Sequence, residues 1–164
     1  MLTNEKIAAI HANAVAHGFW EPGSEPTFGE YCALIHEEIS EAFSAWRNGE
    51  PDEYVKDGKP EGIWVELADV VIRCADAMAF YSSPDISDVE LSTFMVQGSM
   101  GEFVNYLHRM VSYLKELIGL RKDLSNIIWV IYVRATLCGI NLDAIIDRKC
   151  AYNATRPYRH GKRM

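Results

Sequence analysis

The sequence predicts an all-α fold, on three observations. Apolar residues recur at spacings of three and four, the period-two alternation of strands is scarce, and helix-capping or helix-stopping residues bracket the periodic stretches. At 164 residues, 49% of them hydrophobic, the chain can bury a real core and fits a single domain. The helix count is that of a four-helix-bundle-like arrangement of antiparallel neighbours with an extra helical segment.

A first helix spans about residues 3–17 and ends at Gly18. Thr27-Phe-Gly-Glu30 has the form of a capping box and opens a second helix, which runs to about Arg47 before Asn48-Gly49 stops it. Residues 48–60 hold two Gly and two Pro and read as a loop. A third helix runs over about 61–81. Ser87-Asp-Val-Glu90 has the form of another capping box, opening a segment to about residue 118 that Gly98 and Gly101 bend or break. Asp123 begins a fifth helix that Gly139 stops, and Asn141 caps a short last helix over 142–155. Beyond it Arg156-Pro157 starts an extended tail.

Composition removes several function classes. The longest apolar run, residues 127–133, is far short of the roughly 20 residues of a spanning helix, so no membrane segment is expected. The N-terminus has no basic region leading into an apolar stretch, and a cytoplasmic location is expected. Cys32, Cys74, Cys138 and Cys150 are widely spaced and form no CxxC pair, which argues for reduced core residues rather than a zinc site or disulfides. Net charge is −7, yet residues 148–164 hold six Lys or Arg and no acid. An acidic body with a basic end argues against nucleic acid as a partner.

The acids have a pattern. Helix two carries Glu37-Glu38-Ile39-Ser40-Glu41 and helix three carries Glu66-Leu67-Ala68-Asp69. Residues three apart share a helix face, so each helix presents a carboxylate pair despite a repulsion of about 0.2–0.5 kcal/mol. If the two helices form a hairpin about the 48–60 loop, Glu41 lies about 9 Å and Glu66 about 7.5 Å from that end. Glu38 and Asp69 lie about 13 and 12 Å in, so all four converge at matching height. Leu34, Ile35, Ile39, Ala42 and Phe43 border the acids and put them at the edge of a core face. Oxygen ligands without His or Cys suit a hard ion such as Mg²⁺ or Mn²⁺, which polarises a phosphoryl oxygen while a carboxylate orients water. A di-iron bundle is excluded, because no His follows a Glu at three residues.

The spacing Glu37-Glu38-x-x-Glu41 followed by Glu66-x-x-Asp69 resembles the EExxE and ExxD signature of the MazG-like all-α nucleoside triphosphate pyrophosphohydrolases. His17-Gly-Phe-Trp20 and the closing Lys149-x-x-x-Asn153-x-x-Arg156-Pro157-Tyr158-Arg159-His160-Gly161-Lys162 are similar to members of the same family. The resemblance covers residues 1–80 and 139–164. It implies hydrolysis between the α and β phosphates of a nucleotide, in the service of cleansing the nucleotide pool, with Mg²⁺ held by Glu38, Glu41, Glu66 and Asp69. Glu37 points about 100° away from Glu38 and reads as surface or as support for the ligands.

The last helix adds cations. Leu142, Ile145 and Ile146 define its inward stripe, and Lys149, Asn153 and Arg156 continue it. Buried Lys and Arg are rare unless paired, so this face is expected to border an anion or the carboxylate cluster, with Lys149 and Arg156 on the β and γ phosphates in the first case. Trp20, after a Gly-Phe turn, is the expected stacking partner of the base, whereas Trp64 is expected in the core. Glu38 or Glu41 positions the attacking water. A homodimer or homotetramer is expected. The alternatives are a phosphoribosyl-ATP pyrophosphatase-type enzyme, or a non-enzymatic helical oligomerisation or regulatory module whose acids are a solvated face.

Overall fold

Each helix begins where the chain supplies a cap. In the computed structural model, which describes residues 2–81, 97–116 and 119–161, Thr3 Oγ1 accepts from the Lys6 amide at 3.2 Å and opens α1 (Asn4–Ala16). Thr27 and Glu30 form the expected capping box: Thr27 Oγ1 accepts from the Glu30 amide at 3.2 Å, and Glu30 Oε2 from the Thr27 amide at 2.8 Å. They open α2 (Phe28–Arg47). Gly49, at φ 70°, lies just past its end.

The loop expected over 48–60 contains a feature the helical reading passed over. Tyr54–Lys56 (β1) and Lys59–Glu61 (β2) pair antiparallel, Tyr54 opposite Glu61 and Lys56 opposite Lys59. Asp57 and Gly58, at φ 51° and 81°, make the two-residue turn. Asp-Gly is a strong hairpin signal because both residues tolerate positive φ. Gly62 follows at φ 122°, and a Cβ there would lie 2.8 Å from the Pro51 and Asp52 carbonyl oxygens. Those two carbonyls accept the Ile63 and Trp64 amides and so cap the start of α3 (Ile63–Tyr81).

The described residues resume at Gln97, just before a helix start. Ser99 and Glu102 form a capping box that opens α4 (Met100–Ser112), so Gly98 and Gly101 flank a helix start. The box expected at Ser87–Glu90 lies outside the described residues. After Gly119, α5 (Leu120–Leu137) starts three residues before Asp123, which sits in the first turn where an acid favours the positive helix end. Asn141 Oδ1 accepts from the Ala144 amide at 3.2 Å and opens α6 (Leu142–Asn153).

α3 is the central element. It packs against α1, α2, α5 and α6, while α4 covers α2. Its Trp64, Val65, Leu67, Ala68, Val70, Val71, Cys74 and Met78 are buried on every side, the pattern of a helix enclosed by neighbours. Tyr31 meets Asp76 and Glu38 meets Arg73, so later residues of α2 face earlier ones of α3 and the pair is antiparallel. The fold is therefore mostly helical, with the small hairpin as its departure from all-α. Among the described residues no single helix is long and apolar enough to cross a membrane. All four cysteines are free, and of them Cys138 is exposed rather than in the core.

Candidate metal and phosphate site

The antiparallel packing of α2 on α3 brings the acids together. One carboxylate oxygen each from Glu38, Glu66 and Asp69 falls within 4.8 Å of the others, and all three residues are buried. Glu41, the fourth expected ligand, is exposed and stands outside this cluster. It lines the same cavity, and its charge is near enough to act on Glu66. Glu37 is exposed, as its helical direction predicts.

Two cations face the three buried acids. Lys149, only 2% exposed, places Nζ 2.6 Å from Asp69 Oδ2. Arg73 directs both Nε and Nη2 to Glu38 Oε1, each at 3.2 Å. Burial and the neighbouring Asp69 push the Glu66 carboxyl up to about 8, against an ordinary value of 4.5. Burial raises Glu38 and Asp69 above the usual carboxylate range as well, against the pull of Arg73 and Lys149. Three inward acids that resist ionising together fit a hard divalent cation, whose charge would offset their repulsion.

The acids line a cavity of about 320 Å³ that Lys149, Asn153 and Arg156 also line, so the polar stripe of α6 does meet the acidic pair of helices. Asn153 is 8% exposed, and its Oδ1 has no hydrogen-bond partner among the described residues, an unsatisfied acceptor in the cavity wall. Arg156 lies over the Tyr152 ring and donates to the His160 carbonyl oxygen at 3.3 Å. Lys59, carried by the hairpin, lines the cavity while its Nζ pairs with Glu61 at 2.8 Å.

Trp20 is placed elsewhere. It is 6% exposed, stacks on Phe80 with ring centroids 3.8 Å apart, and donates Nε1 to Asp76 Oδ1 and Oδ2 at 3.0 and 3.1 Å. Tyr31 Oη adds a bond to Asp76 Oδ2 at 2.8 Å, and the His11 ring sits 2.7 Å from Oδ1. The aromatic that lines the cavity is its neighbour Phe19, against which the His160 ring stands edge-on at 5.0 Å.

Arg73, Asp76 and Lys59 are cavity residues that the sequence reading passed over, and His160 of the closing motif lines the cavity with them. The first two had a signal: Glu66, Asp69, Arg73 and Asp76 follow one another at three, four and three residues, a continuous polar stripe on an otherwise apolar helix. The basic tail is also ordered differently from an extended strand. Arg159 donates its amide to the His17 carbonyl oxygen at 2.8 Å and its Nε to the Gly18 carbonyl oxygen at 3.0 Å, which holds His160 at the cavity. Lys162–Met164 lie outside the described residues. No family model, curated protein or solved structure matches this chain.

Proposed function

We propose that the chain is a Mg²⁺-dependent hydrolase that cleaves a ribo- or deoxynucleoside triphosphate to the monophosphate and pyrophosphate, on a MazG-type helical bundle. The observation that carries this reading is the meeting of Glu38, Glu66 and Asp69 in the wall of a cavity whose other wall offers Lys149, Asn153 and Arg156. A solvated acidic face would have no reason to be buried, nor to confront the buried Lys149 and an amide oxygen without a partner among the described residues. That contrast favours an enzyme over a purely structural module.

Glu38, Glu66 and Asp69, with Glu41 at the rim, would hold Mg²⁺ or Mn²⁺. When bound, the ion supplies positive charge to phosphoryl oxygens. Glu41, the exposed carboxylate of the set, is suited to take the proton of the attacking water. The water oxygen bonds to the α-phosphorus as the bond from that phosphorus to the bridging oxygen breaks, and pyrophosphate leaves. Lys149 and Arg156 meet the charge that gathers on the leaving group, Arg156 with a planar fork suited to phosphate.

Thermal melting with Mg²⁺ and an α,β-methylene nucleoside triphosphate, which cannot be cleaved at that bridge, tests the assignment. The reading predicts a rise in Tm that needs both metal and nucleotide and is lost in Asp69→Asn, since a ligand at 100 times its Kd stabilises by about 2.7 kcal/mol. No rise with any of the common bases, in a folded protein, would overturn it.

A further inference from the structure

Arg73 lies in the same cavity, and its nitrogens divide their contacts unevenly. Nε and Nη2 both reach Oε1 of Glu38, at 3.2 Å each. A guanidinium facing a carboxylate commonly pairs one nitrogen with each oxygen. Here the fork closes on one oxygen, so Oε2 is left outside the pair. The guanidinium is fixed from its other side by the Phe19 ring, whose centroid is 5.9 Å from Cζ. The backbone of Arg73 is held too: its carbonyl oxygen accepts from Tyr31 Oη at 2.9 Å, and the same hydroxyl bonds Asp76 at 2.8 Å. Arg73 is thus held by α2, through Glu38 and Tyr31, and by the segment after α1, through Phe19.

We infer that Arg73 is a positioning residue, which turns the Glu38 carboxylate so that Oε2 joins the oxygens of Glu66 and Asp69 as a single-oxygen metal ligand. The inference rests on the metal-site reading above and adds a residue to it. A Glu side chain has three rotatable bonds, and an unpaired Glu38 would sample orientations in which no oxygen faces its two partners. Groups that orient a metal ligand typically change metal affinity by 10- to 100-fold when removed. The alternative, in which Arg73 is only a nearby positive charge, predicts the opposite sign: deleting a cation beside a cation site strengthens metal binding.

The experiment is Mn²⁺ binding without nucleotide, measured by the electron paramagnetic resonance signal of the free ion and by calorimetry, on wild type, Arg73→Met, Glu38→Gln and the double variant. The inference predicts that Arg73→Met weakens Mn²⁺ about 10-fold or more. It also predicts that the double variant binds no more weakly than Glu38→Gln alone, because Arg73 acts through Glu38. Unchanged or tighter binding in Arg73→Met, or losses that simply add in the double variant, would overturn it. Should Arg73→Met not fold, Arg73→Lys decides: it keeps the charge and loses the fork, so weaker binding supports positioning and wild-type binding overturns it. If wild type itself takes up no Mn²⁺, the metal site falls, and this role with it.

Discussion

Glu66 is the acid for which neither Arg73 nor Lys149 serves as hydrogen-bond partner, and this gives the protein a pH signature. Its carboxyl titrates near 8 in the fold and near 4.5 in an unfolded chain, so the folded state holds the proton more tightly. The stability from that proton is fully present below 4.5 and is lost as the pH rises through about 8. Metal-free protein should therefore melt at falling temperature from pH 5 to pH 9, and Glu66→Gln should flatten the slope; a slope unchanged in the variant would contradict the assignment. Lys149 is the counterpart on α6. Removing one partner of a buried pair leaves an uncompensated charge, so Lys149→Ala should cost about 3 kcal/mol in denaturant unfolding, and a cost near zero would mean that Asp69 does not need it. Glu38, Glu66 and Asp69 were legible because the spacing by three, of Glu38 with Glu41 and of Glu66 with Asp69, puts each pair on one face of any helix. The pairing of Arg73 with Glu38, and the choice of Asp69 as the acid that Lys149 takes, were not, since they depend on how three helices pack.

At the scale of elements, caps and stops carried the information. Thr27 with Glu30, and Asn141 alone, begin helices as their side chains require, and Gly49 and Gly139 lie just past helix ends at positive φ. The hairpin over Tyr54–Glu61 escaped because three-residue strands show no alternation, and its Asp-Gly turn was the one available sign. The C-terminal turn escaped for a different reason: its partners, His17, Gly18 and Ser24, are distant in sequence. Gly18 makes that docking possible. It sits at φ 80°, and a Cβ there would run into the Tyr158 ring. Gly18→Ala should destabilise by about 1 kcal/mol or more and speed tryptic cleavage after Arg159; unchanged cleavage would show that the tail does not depend on this approach.

At the scale of the whole molecule, α3 is the axis on which the site depends. It gives its apolar faces to α1, α2 and α5 and its polar stripe to the cavity, where α6 arrives with Lys149 and Asn153. The antiparallel hairpin of α2 and α3, derived from matching heights along two helices, is what makes Glu38 a neighbour of Glu66 and Asp69. Sequence periodicity specified that pairing because one shared loop allows few others. It did not specify which aromatic would face the cavity: Phe19 and Trp20 are adjacent, and Trp20 is buried with its ring stacked on Phe80 and its Nε1 on Asp76. Glu41 is exposed although it stands at about the height of the buried Glu66, so matching heights along the hairpin do not by themselves make it a member of the buried cluster.

The most direct measurement is the release of pyrophosphate and monophosphate from a panel of ribo- and deoxynucleoside triphosphates, with and without Mg²⁺, by wild type and by Glu41→Gln. The account predicts magnesium-dependent release of both products in equal amounts from at least one triphosphate, reduced about 10²-fold or more in the variant. Release of orthophosphate instead, or no release from any triphosphate by folded protein supplied with Mg²⁺, would contradict it.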